Sequence, residues 1–495
     1  MKLYHYCYLS VISAFLLSSV AVSGQTEGSA FTLTGMGVST PFATDYQALG
    51  INPANLDLDP KYPRSITLGF FQAGVSLYSQ VLTKPELKQN LFQDDIKDFS
   101  VEQQKEYALL FANSDNAVNV DFMSIGLAVR TQKLGTFAFS IKDKASFHSS
   151  LGTQVSQLMW LGFNAPYFDS LVVKEGGGYD TIPNYQNIDA QTQASIVAGI
   201  TTLANAQSLT QLLQGTKLGF SWYREFNFGW GAKIMSTDAL DIHGGIGLKY
   251  ILGYGMLDLV AENGTAQAYS AMSPGFKIDY GTTTTNNPSS LGDTEGMKPV
   301  GHGLGVDIGA TVVYRKNFIL SAAVTDIGSI TWDGNVYTLR DVNITEFTNP
   351  GLESVDFLAQ FNQLNGSDGL LEWQGQEKRV TKLPTTLRAG FGYDNKNRIK
   401  VGVDIVAPLS ESVGSMQKAV VALGGEFSPL PWVHLQAGYT QGGNYGSKIP
   451  VGIYFTVGQQ GAYEFGIASR DFVTFFRDNK PTVSTAVGVL RFRFS

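Results

Sequence analysis

The chain has 495 residues, of which 16% are charged and 12% aromatic, with 54 glycines and a formal net charge of -7. This mild acidity argues against a nucleic-acid partner. Few charges with many glycines and aromatics are typical of a chain in which half of each strand faces lipid and the other half faces a polar lumen.

The amino terminus predicts a secretory signal over residues 1–24. Lys2 precedes an apolar run from Tyr8 to Val22, and cleavage is expected after Gly24. This run of about fifteen residues is shorter than the roughly 20 that a membrane-spanning helix needs, which disfavours a membrane anchor. The single cysteine, Cys7, lies within the signal. We therefore expect an exported mature chain with no disulfide and no cysteine metal site.

Residues 25–64 are rich in Gly, Thr and Asn and show no long periodic stretch, which predicts a folded amino-terminal segment rather than barrel wall. Period-two alternation begins after this segment, where Ile66, Leu68 and Phe70 share one face of a strand. Phe71 falls on the opposite face by this alternation. The pattern therefore predicts Phe71 as a lumenal side chain that could contact a ligand.

Residues 65–495 predict an all-β fold, a transmembrane antiparallel β-barrel of fourteen or sixteen strands. The clearest strand, Gly303 to Arg315, alternates over a dozen residues, as a tilted membrane strand does. Short turns are predicted at 132–135, 225–227, 315–317, 394–397, 428–432 and 459–461. Long external loops are predicted at 80–119, 149–215, 282–298 and 335–383. Alternating short and long connections are the pattern of outer-membrane barrels, which favours the outer membrane of a Gram-negative bacterium.

Three of the external loops have helical character, over 84–111, 190–213 and 355–364. Residues 192–213 carry apolar side chains at spacings that predict an amphipathic helix. One interpretation is a cap over the barrel mouth that captures a ligand or binds a partner. The other is that these helices only stabilise long loops.

The carboxyl-terminal residues Ser484 to Ser495 predict the strand that closes the barrel. Leu490, Phe492 and Phe494 alternate with Arg491 and Arg493. Because side chains of a strand alternate between faces, we expect the three apolar residues to face lipid and the two arginines to face the lumen.

Nothing in the sequence predicts an enzyme. The histidines after the signal are isolated from one another, without the spacing of a zinc site or of a metalloprotease helix. These histidines are His148, His243, His302 and His434. We predict no catalytic residue, no metal site and no cofactor.

One motif carries a family resemblance. The stretch Gly50-Ile51-Asn52-Pro53-Ala54-Asn55-Leu56 follows the glycine-rich stretch Thr34-Gly35-Met36-Gly37-Val38. Together they resemble the amino-terminal region of the FadL-type long-chain fatty-acid transporter superfamily, in which an N-P-A-G-L motif lies in the hatch that plugs the barrel. Asn55 stands where that family has Gly. The resemblance implies a hatch and ligand path that includes Gly37, Asn52, Pro53, Ala54 and Leu56.

The same motif has a physical reading without the family. Pro53 fixes its own φ and biases Asn52 toward extended backbone, and an Asn side chain can cap a turn. A rigid turn would suit a plug that must hold its position inside a barrel. An ordinary turn before the first strand accounts for the same residues.

Two functions remain open from the sequence. The first is an outer-membrane barrel that takes up hydrophobic or amphipathic small molecules through a hatch-gated lumen. The alternative is a structural or secretion-associated barrel, similar to the PorV-type members of the superfamily, that binds a protein partner through its external loops. Expected partners in either case are outer-membrane lipid and the barrel assembly machinery, with no nucleic acid.

Overall fold

The computed structural model describes most of the chain after the predicted signal. The signal itself, both ends of the predicted amino-terminal segment, the predicted helix over 355–364 and Ser495 lie outside the described residues. The described ranges are 30–58, 65–82, 100–184, 188–281, 286–292, 294–351, 371–410, 412, 415–416, 418–443, 446–458, 461–477 and 483–494.

β-strands make up most of the described chain. The strands are β1 (Ile66–Ser79), β2 (Asp115–Thr131), β3 (Gly135–Ser150), β4 (Ser170–Glu175), β5 (Gly178–Pro183), β6 (Ile196–Ile200), β7 (Lys217–Ser236), β8 (Leu240–Glu262), β9 (Thr265–Met272), β10 (Gly301–Tyr314), β11 (Phe318–Trp332), β12 (Val336–Arg340), β13 (Glu346–Phe347), β14 (Glu372–Gly375), β15 (Arg379–Lys382), β16 (Thr386–Asp394), β17 (Ile399–Pro408), β18 (Val420–Leu430), β19 (Val433–Gly442), β20 (Val451–Val457), β21 (Tyr463–Ser469) and β22 (Val483–Phe494). The α-helices are Phe31–Thr34, Val101–Phe111, Thr153–Leu161, Ala190–Gln193 and Leu209–Leu212, and the 3-10 helices are Asp45–Ala48, Pro53–Asp57, Gly162–Asn164, Pro274–Phe276 and Phe472–Phe475.

Fourteen of these strands form one closed antiparallel ring. β1 pairs with β2 on one side and with β22 on the other, so the first and last strands close the barrel. The ring order is β1, β2, β3, β7, β8, β10, β11, β16, β17, β18, β19, β20, β21 and β22. The strand number is therefore fourteen rather than sixteen.

The barrel wall is apolar outside and polar inside. In β10, Leu304 and Ile308 point outward and are 70% and 54% exposed, whereas Asp307 and Thr311 point inward and are buried. An outward apolar face on a closed ring with no free edge is what a lipid bilayer requires of a β-structure. The predicted all-β transmembrane antiparallel barrel is thus confirmed.

None of the helices in the described part of the chain is long and apolar enough to cross a bilayer.

The barrel is much taller on one side than on the other. β7 and β8 have 20 and 23 residues, whereas β20 and β21 have 7 each. The predicted short turn at 225–227 lies inside β7, and the turn that joins β7 to β8 is formed by residues 237–239 instead. The polar triplet at 225–227 resembles a turn in the sequence. In the structure it continues the strand, and Glu225 and Asn227 face the lumen and are buried there.

The external loops fold into a cap above the tall side. Its apolar core includes Leu158 and Trp160 from the helix Thr153–Leu161, Leu212, and Trp373. A four-stranded sheet in the order β13, β6, β4, β5 contributes Phe347 to this core, and its residues Leu171, Val173 and Ile196 form a smaller apolar cluster. The helix Val101–Phe111 begins with a capping box between Ser100 and Gln103, in part of the predicted 84–111 helix.

The predicted helix over 190–213 is wrong as a single element. The chain there forms one turn at Ala190–Gln193, strand β6, and one turn at Leu209–Leu212. Leu209 and Leu212 reach the cap core from the second helical turn, whereas Ile196 of β6 packs in a separate cluster with Leu171 and Val173. Tertiary packing has therefore overridden the helical spacing.

A backbone irregularity in β1 changes the face on which Phe71 lies. Phe71 has a φ of 52° and falls between Phe70 and Gln72, which continue the register with β22. The change of backbone conformation at this residue leaves Phe71 on the outer face, where it is 53% exposed and its ring centroid lies 6.3 Å from that of Phe122. The prediction of Phe71 as a lumenal residue is wrong, because the positive φ at this residue shifts the inward and outward alternation of the strand by one position.

Strand β22 carries a second irregularity at the same level. Its register with β21 shifts at Val489, which points outward and is 46% exposed. Gly488 and Ala486 consequently face the lumen together with Arg491, although strict alternation from Leu490 would place them on the apolar face. The predicted alternation therefore holds only from Leu490 to the end of the strand.

Candidate functional site

Residues 30–58 fill the barrel lumen as a plug. The segment contains the short helix Phe31–Thr34 and the two 3-10 helices Asp45–Ala48 and Pro53–Asp57, and most of its side chains are buried. Asn52 and Ala54 are fully buried. The residues that the family resemblance assigned to a hatch thus lie inside the barrel and against its wall.

The Asn52-Pro53 turn is held by a side-chain cap and by the wall. Asn52 precedes the 3-10 helix, and its side-chain oxygen accepts a hydrogen bond of 3.1 Å from the Ala54 amide. Its Nδ2 donates at 2.9 Å to the Thr311 hydroxyl in β10. Pro53 occupies the first turn, where a missing N–H costs nothing. One side chain therefore both starts the turn and attaches it to the barrel.

Asn55 provides a second attachment that the sequence comparison with the family did not anticipate. Its Nδ2 donates at 2.7 Å to the Thr40 carbonyl within the plug, and its Oδ1 accepts at 2.6 Å from the Thr311 hydroxyl. A glycine at this position, as in the resembled family, could make neither bond. Here the departure from the family motif ties two parts of the plug to one wall residue.

Lumenal glycines form the seat of this turn. A methyl group at Gly309 would overlap Asn52 Oδ1, and one at Gly245 or Gly231 would overlap the Pro53 backbone. At Gly229 it would overlap the side chains of Leu49 and Leu56. The wall and the plug approach each other backbone to backbone, which only glycine allows.

The glycine-rich stretch of the plug is fitted in the same way. Gly37 has a φ of 70°, and a methyl group on its Cα would crowd the side chains of Thr440 and Pro450. The Met36 carbonyl packs onto Gly424 and Gly438 of neighbouring strands. Gly37 is therefore needed for its backbone conformation as well as for its small size.

Tyr46 anchors the middle of the plug against β1 and β2. Its ring lies over Gly69 and Gly126, where any side chain would collide with it. Its hydroxyl accepts a hydrogen bond of 2.6 Å from Gln72 Nε2. Burial raises the pKa of Tyr46 above its ordinary value, so this hydroxyl stays neutral.

Charged wall residues hold the plug backbone. The amides of Ser39 and Thr40 both donate to Asp404 Oδ2 at 2.9 Å. The Lys142 ammonium donates to the Leu49 carbonyl at 2.9 Å. Asp45 pairs with Arg491 of the closing strand. These contacts come from opposite parts of the ring, so the plug is restrained on several sides.

The two predicted lumenal arginines form an ion-paired cluster. Arg491 lies 2.6 Å from Glu464 in β21, and Arg493 pairs with the same carboxylate. All three side chains are buried. On the other face of β22, Phe492 contacts Tyr463 with ring centroids 5.1 Å apart, and Phe494 is 47% exposed. Leu490 lies on this outer face too.

Further ion pairs line the lumen. Lys249 lies 3.0 Å from Asp307 and 2.5 Å from Asp326, and Lys144 lies 2.9 Å from Glu225. Buried carboxylates and ammonium groups are stable only when they are paired. Paired charges therefore surround the plug. The alternation of polar residues alone does not predict which side chains form these pairs.

A small cavity remains between the plug and strands β16 to β20. Its volume is about 50 Å³, enough for a few water molecules but far below the roughly 300 to 1,000 Å³ of a site for a drug-sized ligand. Its lining includes Leu33, Val420, Arg388, Asp404, Lys448 and Arg470. With the plug in place, this cavity is therefore too small for a ligand of that size.

Several solved structures resemble this barrel at low sequence identity. A mutant of the monoaromatic hydrocarbon channel TodX superimposes with a TM-score of 0.48 at 11% identity, covering 94% of this chain and 98% of the other. The toluene transporter TodX of Pseudomonas putida gives 0.45 at 12% identity, over 95% of this chain and 99% of the other. A FadL homologue of Pseudomonas aeruginosa gives 0.38 at 10% identity, over 96% and 100%. The last belongs to the superfamily that the amino-terminal motif resembles.

A search of curated proteins finds no match. One family model, described as a family of unknown function (DUF5723), matches residues 170–463. This range covers more than half of the chain, from the cap strands to the start of β21. The chain therefore belongs to the DUF5723 family.

Proposed function

We propose that the protein is an outer-membrane uptake channel for hydrophobic or amphipathic small molecules, with residues 30–58 as its hatch. The observation that carries the proposal is the plug itself, which occupies the lumen but is attached to the wall by hydrogen bonds, ion pairs and packing. The turn at Asn52, Pro53 and Ala54 would have to leave its glycine seat for a path to open. Leu56 and Gly37 would move with it.

Two further features support uptake of apolar molecules. The motif Gly50 to Leu56 resembles the hatch of the FadL-type superfamily. On the low side of the barrel, exposed aromatic side chains cluster at the external rim, where Phe476 is 74% exposed and its ring lies 5.0 Å from that of Phe472. Such a rim is suited to collecting apolar molecules from the lipid interface.

A reversible cross-link tests the hatch. The only cysteine, Cys7, lies in the predicted signal, so a double variant Asn55→Cys/Thr311→Cys would carry the only thiols of the mature chain. The two native side chains approach to 2.6 Å, close enough for oxidation or for a short thiol-specific cross-linker to join the pair. We expect cells expressing the cross-linked variant to lose uptake of a radiolabelled aromatic hydrocarbon and of a radiolabelled long-chain fatty acid. Reduction should restore it.

The reduced double variant is the matched control, because it carries the same substitutions without the bond. Uptake by the single variants Asn55→Cys and Thr311→Cys should not change when the oxidant is added. Equal uptake by the oxidised and reduced forms would refute a hatch that must move. No uptake above that of cells lacking the protein would refute transport of these compounds altogether.

A partner-binding barrel is the second candidate, favoured by apolar side chains on the outside of the cap. Leu203 is 80% exposed and Tyr179 is 73% exposed, although both belong to a folded region with its own core. A stoichiometric envelope protein recovered with the wild type, and lost from a Leu203→Ser/Tyr179→Ser variant, would favour this candidate. The uptake assay would then show no dependence on the hatch.

A further inference from the structure

Two hairpin turns at the end of the barrel opposite the cap carry exposed cations. Arg315 and Lys316 lie in the turn between β10 and β11, and Arg398 lies in the turn between β16 and β17. None of these three side chains forms an ion pair with the part of the chain that the structure describes. The lumenal cations Arg491 and Lys249, in contrast, have carboxylate partners. Together, the three exposed cations form the basic rim.

The backbone of the turn between β10 and β11 is unfavourable for the two residues that occupy it. Arg315 and Lys316 have φ values of 49° and 62°, and the Asn317 amide donates to the Tyr314 carbonyl across the turn at 3.3 Å. Positive φ at both central positions is the pattern of a type I′ turn, in which Asn-Gly and Asp-Gly are preferred. A left-handed backbone is costly for any residue with a Cβ atom. The stability of the turn therefore does not explain an Arg-Lys pair at these positions.

The two turns are hydrogen-bonded to each other, so their cations belong to one surface. The Asp394 amide donates to the Asn317 carbonyl at 2.9 Å, and Asn317 Nδ2 donates to the Asp394 carbonyl at 2.7 Å. Within the second turn, the Asn395 side chain accepts three backbone amides and fixes the loop. The basic rim is thus presented by backbone of defined conformation.

The basic rim remains positively charged when the neighbouring acidic residues are counted. Lys396 lies 3.6 Å from Asp394, so the charges of this pair cancel. The adjoining turn, residues 237–239, contains one acidic residue, Asp238, and its Ala239 carbonyl accepts the Arg315 amide at 2.7 Å. The turn on the other side, residues 431–432, has no charged side chain. The three cations of the rim against one carboxylate leave two positive charges.

Exposed aromatic rings lie beside the basic rim on the outer wall. The ring centroid of Phe318, at the start of β11, lies 5.2 Å from that of Tyr393 and 6.4 Å from that of Phe391. The Arg315 guanidinium lies over the exposed Tyr314 ring, 5.2 Å from its centroid. Aromatic girdles of outer-membrane barrels lie at the membrane–water interface. The basic rim is therefore level with the lipid headgroups, and the aromatic rings are level with the adjoining part of the lipid chains.

We propose that the basic rim binds an anionic glycerophospholipid of the leaflet opposite the cap. The phosphodiester accepts charge-assisted hydrogen bonds from Arg315 and Lys316, and the glycerol and chains lie along Phe318 and Tyr393. A zwitterionic lipid carries an ammonium group that the net positive charge repels, so the rim selects headgroups with a net negative charge. An acidic protein would use only the charge, whereas a lipid also uses the adjoining rings. The proposal depends on the barrel lying in a bilayer and not on what it transports.

Native mass spectrometry of the purified full-length protein in a non-ionic detergent tests the proposal. Phosphatidylglycerol and phosphatidylcholine with identical chains are titrated separately, and the dissociation constant of the first bound lipid is measured. We expect the wild type to prefer phosphatidylglycerol. Arg315→Gln/Lys316→Gln/Arg398→Gln should lower this preference on the order of a hundredfold, since each cation near an anionic lipid contributes about fivefold. More ammonium acetate should also lower it, because salt screens exposed charges.

A second rim variant keeps the test decisive if the triple variant fails to fold. Arg315→Asn/Lys316→Gly introduces the residues that a type I′ turn prefers, so it should fold at least as stably as the wild type. Its preference for phosphatidylglycerol should nevertheless fall by about 25-fold, because two cations are lost.

Two controls separate the rim from overall charge and from chain contacts. Lys105→Gln/Lys174→Gln/Lys378→Gln removes three exposed cations at the cap end and should keep the wild-type preference. Phe318→Ala should weaken both lipids alike and leave the preference unchanged, because it removes a ring but no charge.

Equal affinities of the wild type for the two lipids would overturn the proposal. An unchanged preference in Arg315→Asn/Lys316→Gly would place the lipid elsewhere on the barrel, and an equal loss in the cap variant would reduce the effect to overall charge. If the rim variants lost co-sedimentation with purified peptidoglycan while their lipid preference stayed intact, the rim would bind the cell wall and not a lipid.

Discussion

At the scale of single residues, the glycines of the wall determine the fit of the plug as much as the side chains of the plug do. Gly309, Gly245 and Gly231 admit the backbone of the Asn52-Pro53 turn, and no larger residue could stand at these positions without displacing it. The turn is therefore held by wall glycines that have no side chain on one side, and by the side chains of Asn52 and Asn55 on the other.

A methyl group in this seat should loosen the plug without unfolding the barrel. In Gly309→Ala, the added carbon would overlap Asn52 Oδ1. Overpacking of this kind typically costs about 1 to 3 kcal/mol, and here the mobile partner is the plug rather than the strand ladder. We expect faster hydrogen exchange at the amides of residues 50–56, measured by mass spectrometry.

The control for this variant is Gly425→Ala in β18, where the glycine faces outward, away from the plug. Its exchange at residues 50–56 should match that of the wild type. Unchanged protection of the turn in Gly309→Ala would mean that the seat is softer than its geometry indicates.

Sequence reasoning located part of this site and missed the rest for a physical reason. Asn52 and Pro53 stand out because a proline after an asparagine defines a local turn. Asn55 acts through Thr311, 256 residues away in the chain, and Asp404 acts through Ser39, 365 residues away. Contacts at such separations depend on the register of the closed ring, which no local pattern encodes.

At the scale of elements, alternation predicted strands reliably but not every face. The short turns at 315–317 and 394–397 were recognisable because polar residues interrupt two apolar runs. The irregularity at Phe71 was not, because a non-glycine residue rarely adopts a positive φ. An aromatic residue that changes face by simple alternation can therefore lie either in the lumen or at a backbone irregularity on the outer face.

The cap is an element with a core of its own, so its centre can be weakened separately from the barrel. Trp160 is 4% exposed, and its ring lies 5.0 Å from that of Tyr107 and 5.2 Å from that of Phe111. Trp160→Ala should cost about 3 to 5 kcal/mol, as for other buried tryptophans. We expect rapid proteolysis of the cap while the barrel retains its resistance to denaturation by detergent at room temperature.

Trp230→Ala is the matched substitution on the outer wall, where the side chain is 39% exposed. It should leave cap proteolysis unchanged. A cap that stays intact in Trp160→Ala would mean that its stability comes from β7 and β8 rather than from its aromatic core.

At the scale of the whole molecule, closure of the ring depends on buried charge as well as on backbone pairing. Glu464 compensates Arg491 and Arg493 where β21 meets β22, next to the seam with β1. Loss of this carboxylate would remove the shared partner of both buried guanidinium groups and leave Arg491 with Asp45 alone. The seam is consequently the place where one substitution affects the entire barrel.

Glu464→Gln should lower the temperature at which the folded barrel converts to the unfolded band on a detergent gel. Breaking a buried pair from one side typically costs about 3 to 5 kcal/mol. The control is Glu372→Gln, which breaks a pair with Arg340 at 3.5 Å whose side chains are 51% and 54% exposed. Exposed pairs contribute less than about 1 kcal/mol, so this variant should convert at the wild-type temperature. Equal shifts in both variants would contradict a special role for the seam.

The unequal strand lengths have a consequence for the surrounding membrane. Seven residues in β20 or β21 extend about 24 Å along the strand and, at the usual tilt, only some 17 to 19 Å along the bilayer normal. The apolar band of an outer-membrane barrel is about 25 Å tall. Hydrophobic mismatch on this side must be relieved by thinning of the adjacent lipid or by tilting of the whole protein. The barrel therefore deforms its bilayer mainly on one side, and the hydrophobic mismatch is largest beside Phe472 and Phe476.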